Sequence, residues 1–417
     1  MGHMVGKDVY RQLGRKIDNL ATRAPWNETF HAILKELYTT EEADLVIKMP
    51  YGVATLDKIA QITGYEKTRL QVLLDGLCDK GLVLDFGDQE RTHYMISPLV
   101  VGIFEFTMMR TRGELNTREW ARLFHEYLND PETFYKANCS HGEKVSSLRA
   151  IPHEGTVAED GFVEVLDYEK ANAIVESAKT FAIGLCSCRH EKLHAGKKTC
   201  DVPLETCSSF GVTTEFMVRR GFARKVSKGE MLENVARSRE LGLVLCADNV
   251  KKDISFLCHC CGCCCNVLLG VSQMGYPNTV VTSNYIARIN DDECTQCGTC
   301  VDTCPVKAIV DGNGEGPHVN EKLCLGCGVC SLKCTTESLK LVPREKRVLH
   351  PEDTFERVIL QALERGNLQN LLFDNPQSAS HGFMRAFVGG FLKLPPVKKS
   401  LMSDTLRSRF LTFMRRG

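Results

Sequence analysis

The sequence predicts an α+β chain built from several domains. Its 417 residues exceed the size at which a single hydrophobic core usually stops growing. A hydrophobic content of 43% with 25% charged residues is typical of a globular protein. The 21 cysteines are not spread evenly, since most fall at residues 186–265 and 294–334. We therefore expect a helical N-terminal domain with a β-hairpin, two cysteine-rich domains, and a helical C-terminal tail.

The N-terminal domain is predicted to span residues 1–105. Leu56–Ile62 and Glu66–Asp79 have the apolar spacing of helices, and a glycine follows each of them. Leu82–Phe86 and Thr92–Ile96 alternate like strands around a polar turn at residues 87–89. This order of elements resembles winged-helix domains of the arsenic-repressor type.

The charges of this domain argue against DNA binding. From Thr55 to Ile96 there are five Lys and Arg against seven Asp and Glu. A helix that reads a DNA groove normally carries a basic surface. We therefore expect a domain for protein interaction or for dimerisation, and in the second case the chain would form a homodimer. We do not expect DNA to be a partner.

A connector at residues 106–168 is predicted to lead to a cysteine-rich α/β domain at 169–275. Cys186 and Cys188 follow the apolar run Phe181–Leu185, and Cys200 and Cys207 complete a set of four. Four thiols in 22 residues suffice for one iron–sulfur cluster. Cations crowd the same segment and would stabilise an anionic cluster or substrate. Three of them are candidate catalytic residues: Arg189, His190 and His194. Each histidine could instead be a metal ligand or simply be solvated.

Farther along this domain, six of eight consecutive residues are cysteines. Two overlapping C-x2-C registers are present, and the sequence does not choose between them. One register contains Cys258, Cys261 and Cys264, and the other contains Cys260 and Cys263. The sixth cysteine, Cys265, belongs to neither register. Together with the preceding four, these cysteines supply ten thiols for metal binding. We expect one or two further iron–sulfur clusters here, with surplus thiols that bridge a larger cluster, form a redox pair or stay free.

Two tandem cysteine runs define a domain at residues 285–345. Both have the spacing C-x2-C-x2-C-x3-C, which resembles the bacterial ferredoxin module that holds two 4Fe–4S clusters. Zinc sites, the main alternative, usually need only two C-x2-C pairs. The second run ends in Cys334-Thr335, where the ferredoxin pattern usually has proline. The resemblance implies that each run gives its fourth cysteine to the other cluster: Cys294, Cys297, Cys300 and Cys334 for one, and Cys324, Cys327, Cys330 and Cys304 for the other.

Two wider resemblances concern the chain as a whole. Cys260-Cys261-Gly262 resembles the CCG signature of heterodisulfide reductase subunits, although that family spaces its cysteines over longer intervals. The combination of winged helix, cysteine-rich middle domain and ferredoxin pair over residues 50–345 is similar to a family of 4Fe–4S-binding proteins of anaerobic microbes. The family carries no assigned reaction that could be transferred to this chain.

The C-terminal segment, residues 346–417, is predicted to form helices and then a basic tail. Residues 383–417 contain eight Lys and Arg, one acidic residue and several phenylalanines. Such a tail can bind an acidic membrane surface or an acidic partner, or pack on the acidic cluster domains of its own chain. All three alternatives stay open at this point.

These patterns predict an iron–sulfur electron-transfer protein or oxidoreductase component. Low-potential electrons would pass from the ferredoxin module to a middle-domain cluster, and then to a redox partner protein or a bound substrate. The alternative is a redox-sensing winged-helix transcription regulator. No secretory signal or membrane-spanning run is evident, and clustered cysteines suit a reducing compartment, so we expect a cytoplasmic protein, with binding at the membrane periphery as an option.

Overall fold

The computed structural model describes residues 8–87, 91–113, 115–158, 165–312, 314, 316–348 and 350–416. The chain forms two compact units, the first made of residues 1–138 and 355–417 and the second of residues 139–354. Both helices and strands occur in each unit, so the fold is a mixed one. Among the described residues, no helix has the length and apolar composition needed to cross a bilayer.

The first unit is mainly helical. Polar side chains cap several of its helices: Thr39 and Glu42, for example, form a reciprocal capping box at the start of the third helix. A positive φ of 75° at Gly64 ends the fourth helix, a conformation that glycine adopts without strain. The helices of its N-terminal part are α1 (Val9–Asp18), α2 (Glu28–Leu37), α3 (Thr40–Lys48), α4 (Leu56–Thr63), α5 (Lys67–Asp79), α6 (Phe104–Met109), α7 (Thr117–Leu128) and α8 (Lys136–Cys139, across the boundary).

Three short strands accompany these helices: β1 (Ala54–Thr55), β2 (Val83–Phe86) and β3 (His93–Ile96). They form an antiparallel sheet in the order β1-β3-β2. Helices α4 and α5 and strands β2 and β3 thus lie where the sequence predicts them. The predicted turn between the strands includes residues 88 and 89, which lie outside the described residues.

Helices of the C-terminal segment complete the first unit. Asn367 donates hydrogen bonds to the backbone carbonyls of Asp18 and Leu20, which ties this segment to α1. Apolar side chains of these helices form their own core around Leu363, Leu368 and Leu392. The helices are α16 (Thr354–Glu364), α17 (Leu368–Leu372), α18 (Ala379–Leu392), α19 (Pro395–Leu401) and α20 (Asp404–Arg416), numbered after those of the second unit.

The second unit is built on an antiparallel sheet whose described strands run in the order β4-β8-β9-β6-β5-β7. Side chains alternate between the two faces of a strand, so one face collects every second residue. The strands are β4 (Leu148–Ile151), β5 (Phe181–Leu185), β6 (Glu205–Phe210), β7 (Ala223–Lys225), β8 (Val244–Asp248) and β9 (Phe256–Cys260). The helices around them are α9 (Ala171–Ser177), α10 (Ser187–His194), α11 (Gly211–Arg219), α12 (Lys228–Glu240) and α13 (Asn266–Ser272).

The two faces of this sheet differ in chemistry. One face carries apolar side chains such as Phe181, Leu245 and Leu257, which pack against α9 and α12. The strand registers place cysteines on the opposite face, since Cys246 pairs with Cys258 and residues 208 and 257 are opposite each other. The thiols of β6, β8 and β9 therefore share the face that the main apolar core does not use.

The last part of the second unit is a small domain with two antiparallel strand pairs. Strand β10 (Tyr285–Ile289) pairs with β13 (Leu339–Pro343), and β11 (Ile309–Asp311) forms a hairpin with β12 (Pro317–Val319). Residues 313 and 315, between β11 and β12, lie outside the described part of the chain. A short helix lies within each cysteine run: α14 (Thr299–Thr303) in the first and α15 (Val329–Leu332) in the second.

The segment predicted as a connector contains structure that the sequence did not reveal. Helix α7 (Thr117–Leu128) lies in this segment, and β4 joins the large sheet as an edge strand. Just after β4, His153 donates its backbone N–H to the carbonyl of Cys327, 3.0 Å away. On β13, Leu341 donates its backbone N–H to the carbonyl of Thr156, and its own carbonyl accepts a hydrogen bond from the backbone N–H of Ala158. This segment therefore joins the sheet to the small cysteine domain.

Candidate metal centres

Cysteines from both tandem runs meet around each of two cavities in the small domain. Cys294, Cys297 and Cys300 of the first run line one cavity with Cys334 of the second, and we call these four the exposed ferredoxin set. Cys297 is exposed and the other three are partly exposed. Cys334 lies at this cavity although threonine, not proline, follows it. The structure thus brings together the four cysteines that the resemblance implies for one cluster.

Hydroxyl groups surround the exposed ferredoxin set. The Thr299 hydroxyl lies 3.4 Å from the Cys297 sulfur and lowers the pKa of that thiol. Burial acts to raise the pKa of Cys334, but the Ser338 and Thr336 hydroxyls outweigh it and bring the value to about 7. Both effects favour the thiolate, which is the form that binds iron.

Cys304, Cys324, Cys327 and Cys330 line the second cavity, and we call them the buried ferredoxin set. All four are buried. Aliphatic residues, including Ala287, Ile309 and Leu341, complete the lining. Burial raises the pKa values of Cys327 and Cys330 well above the usual range, so these thiols lose their protons only when a metal compensates for the lost hydration.

The comparisons with known proteins bear on this domain. Residues 293–339 match the 4Fe–4S dicluster domain family. The match covers both cysteine runs, and two sets of four converging thiols suit two clusters of this type. The chain is therefore a 4Fe–4S protein, and iron–sulfur electron transfer is the chemistry that its cysteines indicate. Neither the curated proteins nor the solved structures include a match to this chain.

The structure brings one of the first four middle-domain cysteines together with three cysteines of the octet. Cys200 lies in the loop after α10, and its sulfur is near those of Cys261, Cys263 and Cys264. We call these four the compact thiol set. The set takes Cys261 and Cys264 from one C-x2-C register of the octet and Cys263 from the other. The reason is that β9 ends at Cys260, so the next four residues turn away from the sheet.

A second group of thiols lies along the sheet. Cys258 hydrogen-bonds the thiol of Cys207 on the adjacent strand β6 and that of Cys260 two residues along its own strand, and all three lie on one face of the sheet. Cys260 also contacts Cys246 and Cys265. Cys188 contacts Cys265, and the charges of Cys188 and Cys207 act on Cys186. We call this group the sheet thiol set: Cys186, Cys188, Cys207, Cys246, Cys258, Cys260 and Cys265.

Arg189 lies between the two middle-domain sets. Its side chain is fully buried, and one guanidinium nitrogen donates to the backbone carbonyl of His259 at 2.9 Å. The same nitrogen is 4.0 Å from the Cys261 sulfur, and the charges of Cys186 and Cys260 also act on the guanidinium. A fixed cation at this position offsets the negative charge of thiolates on both sides.

The two candidate histidines form a pair on α10. Their Nε2 atoms are 2.9 Å apart, so one ring donates and the other accepts. Lys192 on the same helix is buried beside Glu191 and Asn266, with its ammonium 2.8 Å from each. The structure thus places Arg189 against the thiol sets and joins His190 to His194. Their catalytic roles stay predictions.

The positions of three further residues in this region could not be inferred from the sequence. Cys246 lies within the apolar strand β8, where a single cysteine is indistinguishable from a core residue. His259, inside the octet, faces α12 instead of the thiols, and its ring lies within hydrogen-bonding distance of the Ser208 and Ser238 hydroxyls. Burial lowers the His259 pKa to about 3, so the ring is neutral. His153, described above, contacts the buried ferredoxin set through its backbone.

One close contact joins the octet to the ferredoxin module. A Cβ atom on Gly262 would lie only 2.7 Å from the carbonyl oxygen of Pro305. Gly262 is flanked by Cys261 and Cys263 of the compact set, and Pro305 follows Cys304 of the buried ferredoxin set. The backbones of Gly262 and Pro305 therefore meet one residue away from cysteines of both domains. Only glycine leaves enough room for this contact.

Proposed function

We propose that this chain is an electron-transfer component of an oxidoreductase system. It takes up low-potential electrons at the exposed ferredoxin set and passes them through the buried set to the thiol sites of the middle domain. A 4Fe–4S cluster supplies one-electron redox chemistry at each ferredoxin set when bound. A redox partner protein or a bound substrate is the final acceptor.

The order of burial supports this direction. Cys297 is open to solvent, where a partner can approach, whereas all four cysteines of the buried set are enclosed by protein. In the sheet thiol set, Cys246, Cys260 and Cys265 are likewise buried, and the other four cysteines are partly exposed. A site enclosed on all sides exchanges electrons through the neighbouring site and not with solvent.

The contact between Gly262 and Pro305 is the observation that carries the proposal. It brings a backbone that bears compact-set cysteines against the backbone that bears Cys304. The sheet thiols are also close to the ferredoxin module, because the charges of Cys327 and Cys265 both act on Cys246. Electron transfer from the buried ferredoxin set to the middle domain would therefore cross a short, packed interface.

A Gly262→Ala variant tests the route. The added methyl group meets Pro305, so the two backbones must separate, while every cysteine is kept. We expect unchanged iron content but several-fold slower transfer from the ferredoxin module to the middle domain. Rapid-freeze EPR after anaerobic reduction measures this rate.

The matched control is Gly229→Ala, where the nearest atom to a new Cβ is a serine hydroxyl oxygen at 3.8 Å. This variant should transfer electrons like the wild type. Middle-domain sites that stay oxidised after full reduction of the ferredoxin module in the wild type would refute the route.

The winged-helix region fits an interaction role better than DNA binding. Lys58, Lys67 and Arg69 are the cations of α4 and the start of α5, and each forms an ion pair with a carboxylate of its own unit. Their charges are thereby partly neutralised. We propose that this region mediates dimerisation or partner binding, and a redox-sensing regulator gains no support from these contacts.

A further inference from the structure

The compact thiol set has unusually short distances between its sulfur atoms. Cys200 lies 3.8 Å from both Cys261 and Cys264, and Cys263 lies 3.6 Å from Cys264. All four sulfurs are within 4.8 Å of one another. Across the described ranges of the chain, no other group of three or more potential ligands from His, Cys, Asp or Glu is so tightly gathered.

These distances match one metal ion at the centre of a tetrahedron. A metal–sulfur bond of about 2.3 Å gives tetrahedral edges of about 3.8 Å between sulfurs. The thiolates of a cubane bind four different irons and must be farther apart. The sulfur atoms of each ferredoxin set are farther apart, because each set surrounds a cavity. In the described structure, neither set has three sulfurs that all lie within 4.8 Å of one another.

We propose that Cys200, Cys261, Cys263 and Cys264 bind a single thiophilic divalent ion, zinc or ferrous iron, in a mononuclear tetrahedral site. The remaining seven middle-domain cysteines are then the ligands available to an iron–sulfur cluster. This proposal does not depend on the electron route, because a four-thiolate site with no open position is typical of a structural metal.

The surroundings suit a structural site. Cys200 is the ligand from the loop after α10, and the other three come from the turn after β9, so the ion would cross-link two segments that share no strand pairing. Leu243 and Val202 pack against Cys261 and Cys264. Four thiolates around a divalent ion leave two negative charges, and the nearby guanidinium of Arg189 offsets part of them.

Metal and sulfide analysis of the full chain, purified anaerobically, tests the proposal. Cys263 is the exposed member of the set, so its replacement disturbs packing least. We expect Cys263→Ala to lose one metal ion per chain with acid-labile sulfide unchanged, and Cys263→His, which keeps a ligand, to retain that ion. Whether the lost metal is zinc or iron distinguishes the two ions.

Cys139→Ala, outside all four thiol sets, is the control and should keep the wild-type metal content. Loss of sulfide together with about four irons from Cys263→Ala would show a cubane and overturn the proposal. Unchanged metal content in that variant would overturn it equally. X-ray absorption of wild-type protein adds an independent readout, with four sulfurs at about 2.3 Å expected around any bound zinc.

A second inference rests on the outer face of α18. Phe383, Phe387 and Phe391 recur every four residues and are 69%, 68% and 57% exposed. The opposite face of the helix is anchored, because Leu392 is buried in the core of the C-terminal helices. Exposed cations follow along the segment: Lys393, Lys399, Arg409 and Arg415.

We propose that this face binds an anionic membrane surface. Phenylalanine rings can enter the region between headgroups and acyl chains while lysine and arginine side chains contact lipid phosphates. The eight basic residues and one acidic residue of 383–417 give the segment the charge that anionic lipids attract. Stacking of Phe383 on Phe387 keeps two rings parallel on the same side of the helix.

Vesicle flotation with the full chain tests this inference. We expect binding to vesicles of phosphatidylcholine with phosphatidylserine, weaker binding to phosphatidylcholine alone, and a decrease with added salt. Replacing the three phenylalanines with serine should lower the bound fraction at least about tenfold. Val212→Ser, at a residue 66% exposed in the second unit, should leave it unchanged. Absence of binding to the anionic vesicles would overturn the inference and leave an acidic protein as the partner to test.

Discussion

The two ferredoxin sets have identical cysteine spacing but very different surroundings. Gly298 and Gly328 occupy the same place in the two runs, each with a positive φ, of 75° and 82°. A side chain at Gly298 would meet nothing within 4 Å, whereas one at Gly328 would collide with the hydroxyl group of Thr156. Cys297 is exposed and its counterpart Cys327 is buried.

The difference comes from the segment that follows β4. His153 and Thr156 cover the second run, and no described residue covers Gly298 in this way. The spacing of cysteines therefore determines which thiols can share a cluster, whereas the domain packed against each run determines its access to solvent. Four experiments test this contrast.

Replacement of one cysteine in each set should have the largest effect. Cys330→Ser removes a ligand from an enclosed site, where no water can replace it, so we expect loss of about four irons and a marked fall in the melting temperature. Cys297→Ser, at the exposed site, should lose less iron with little change in melting temperature. Iron analysis and anaerobic calorimetry measure both, and equal losses would contradict the contrast.

Alanine at the paired glycines should have the next largest effect. Gly328→Ala combines left-handed backbone strain with a collision and should destabilise the protein by roughly 3 kcal/mol. Gly298→Ala has the backbone strain alone and should cost about 1 kcal/mol. Anaerobic thermal unfolding of the loaded proteins gives the comparison. Similar values would show that Thr156 moves away without cost.

Removal of iron by a chelator should separate the two sets in time. Solvent reaches Cys297 directly, so iron of the exposed set should leave in a fast phase and iron of the buried set in a slow one. Cys297→Ser should accelerate the fast phase and leave the slow phase unchanged. Absorbance of the chelate follows both phases, and a single phase in the wild type would mean that the sets exchange as one unit.

The smallest effect is expected from a hydroxyl beside the exposed set. The Ser338 hydroxyl lies 3.5 Å from the Cys334 sulfur and favours its thiolate. Such hydrogen bonds stabilise the more negative, reduced state, so Ser338→Ala should lower the reduction potential of this set by some tens of millivolts. Protein-film voltammetry should show a shifted potential for the exposed ferredoxin set and an unchanged one for the buried set. A shifted potential of the buried set would contradict this assignment of the hydroxyl's effect.

Local patterns in the sequence predicted several elements and the composition of both ferredoxin sets. Helices α4 and α5 have the apolar spacing of helices and a glycine after each, so local rules suffice for them. The exchange of Cys304 and Cys334 between runs is what the resemblance to the ferredoxin module implies. Their roles as iron ligands stay predictions, although the dicluster match supports them.

Tertiary packing explains what the sequence could not predict. Cys200 is 61 residues before Cys261, and only the folded loop after α10 shows that they meet. Cys246 resembles a core residue until the register of β8 and β9 places it opposite Cys258. The sequence predicts only a connector where β4 lies, because this strand forms by pairing with β8, nearly a hundred residues away.

The segment from His153 to Ala158 has a consequence for any attempt to isolate the cluster domain. A fragment covering residues 285–345 would lose the backbone hydrogen bonds that His153, Thr156 and Ala158 form with Cys327 and Leu341. The carbonyl of Cys327 and the edge of β13 would then face water. The excised domain would have two similarly accessible sites, and the asymmetry between them is a property of the intact chain.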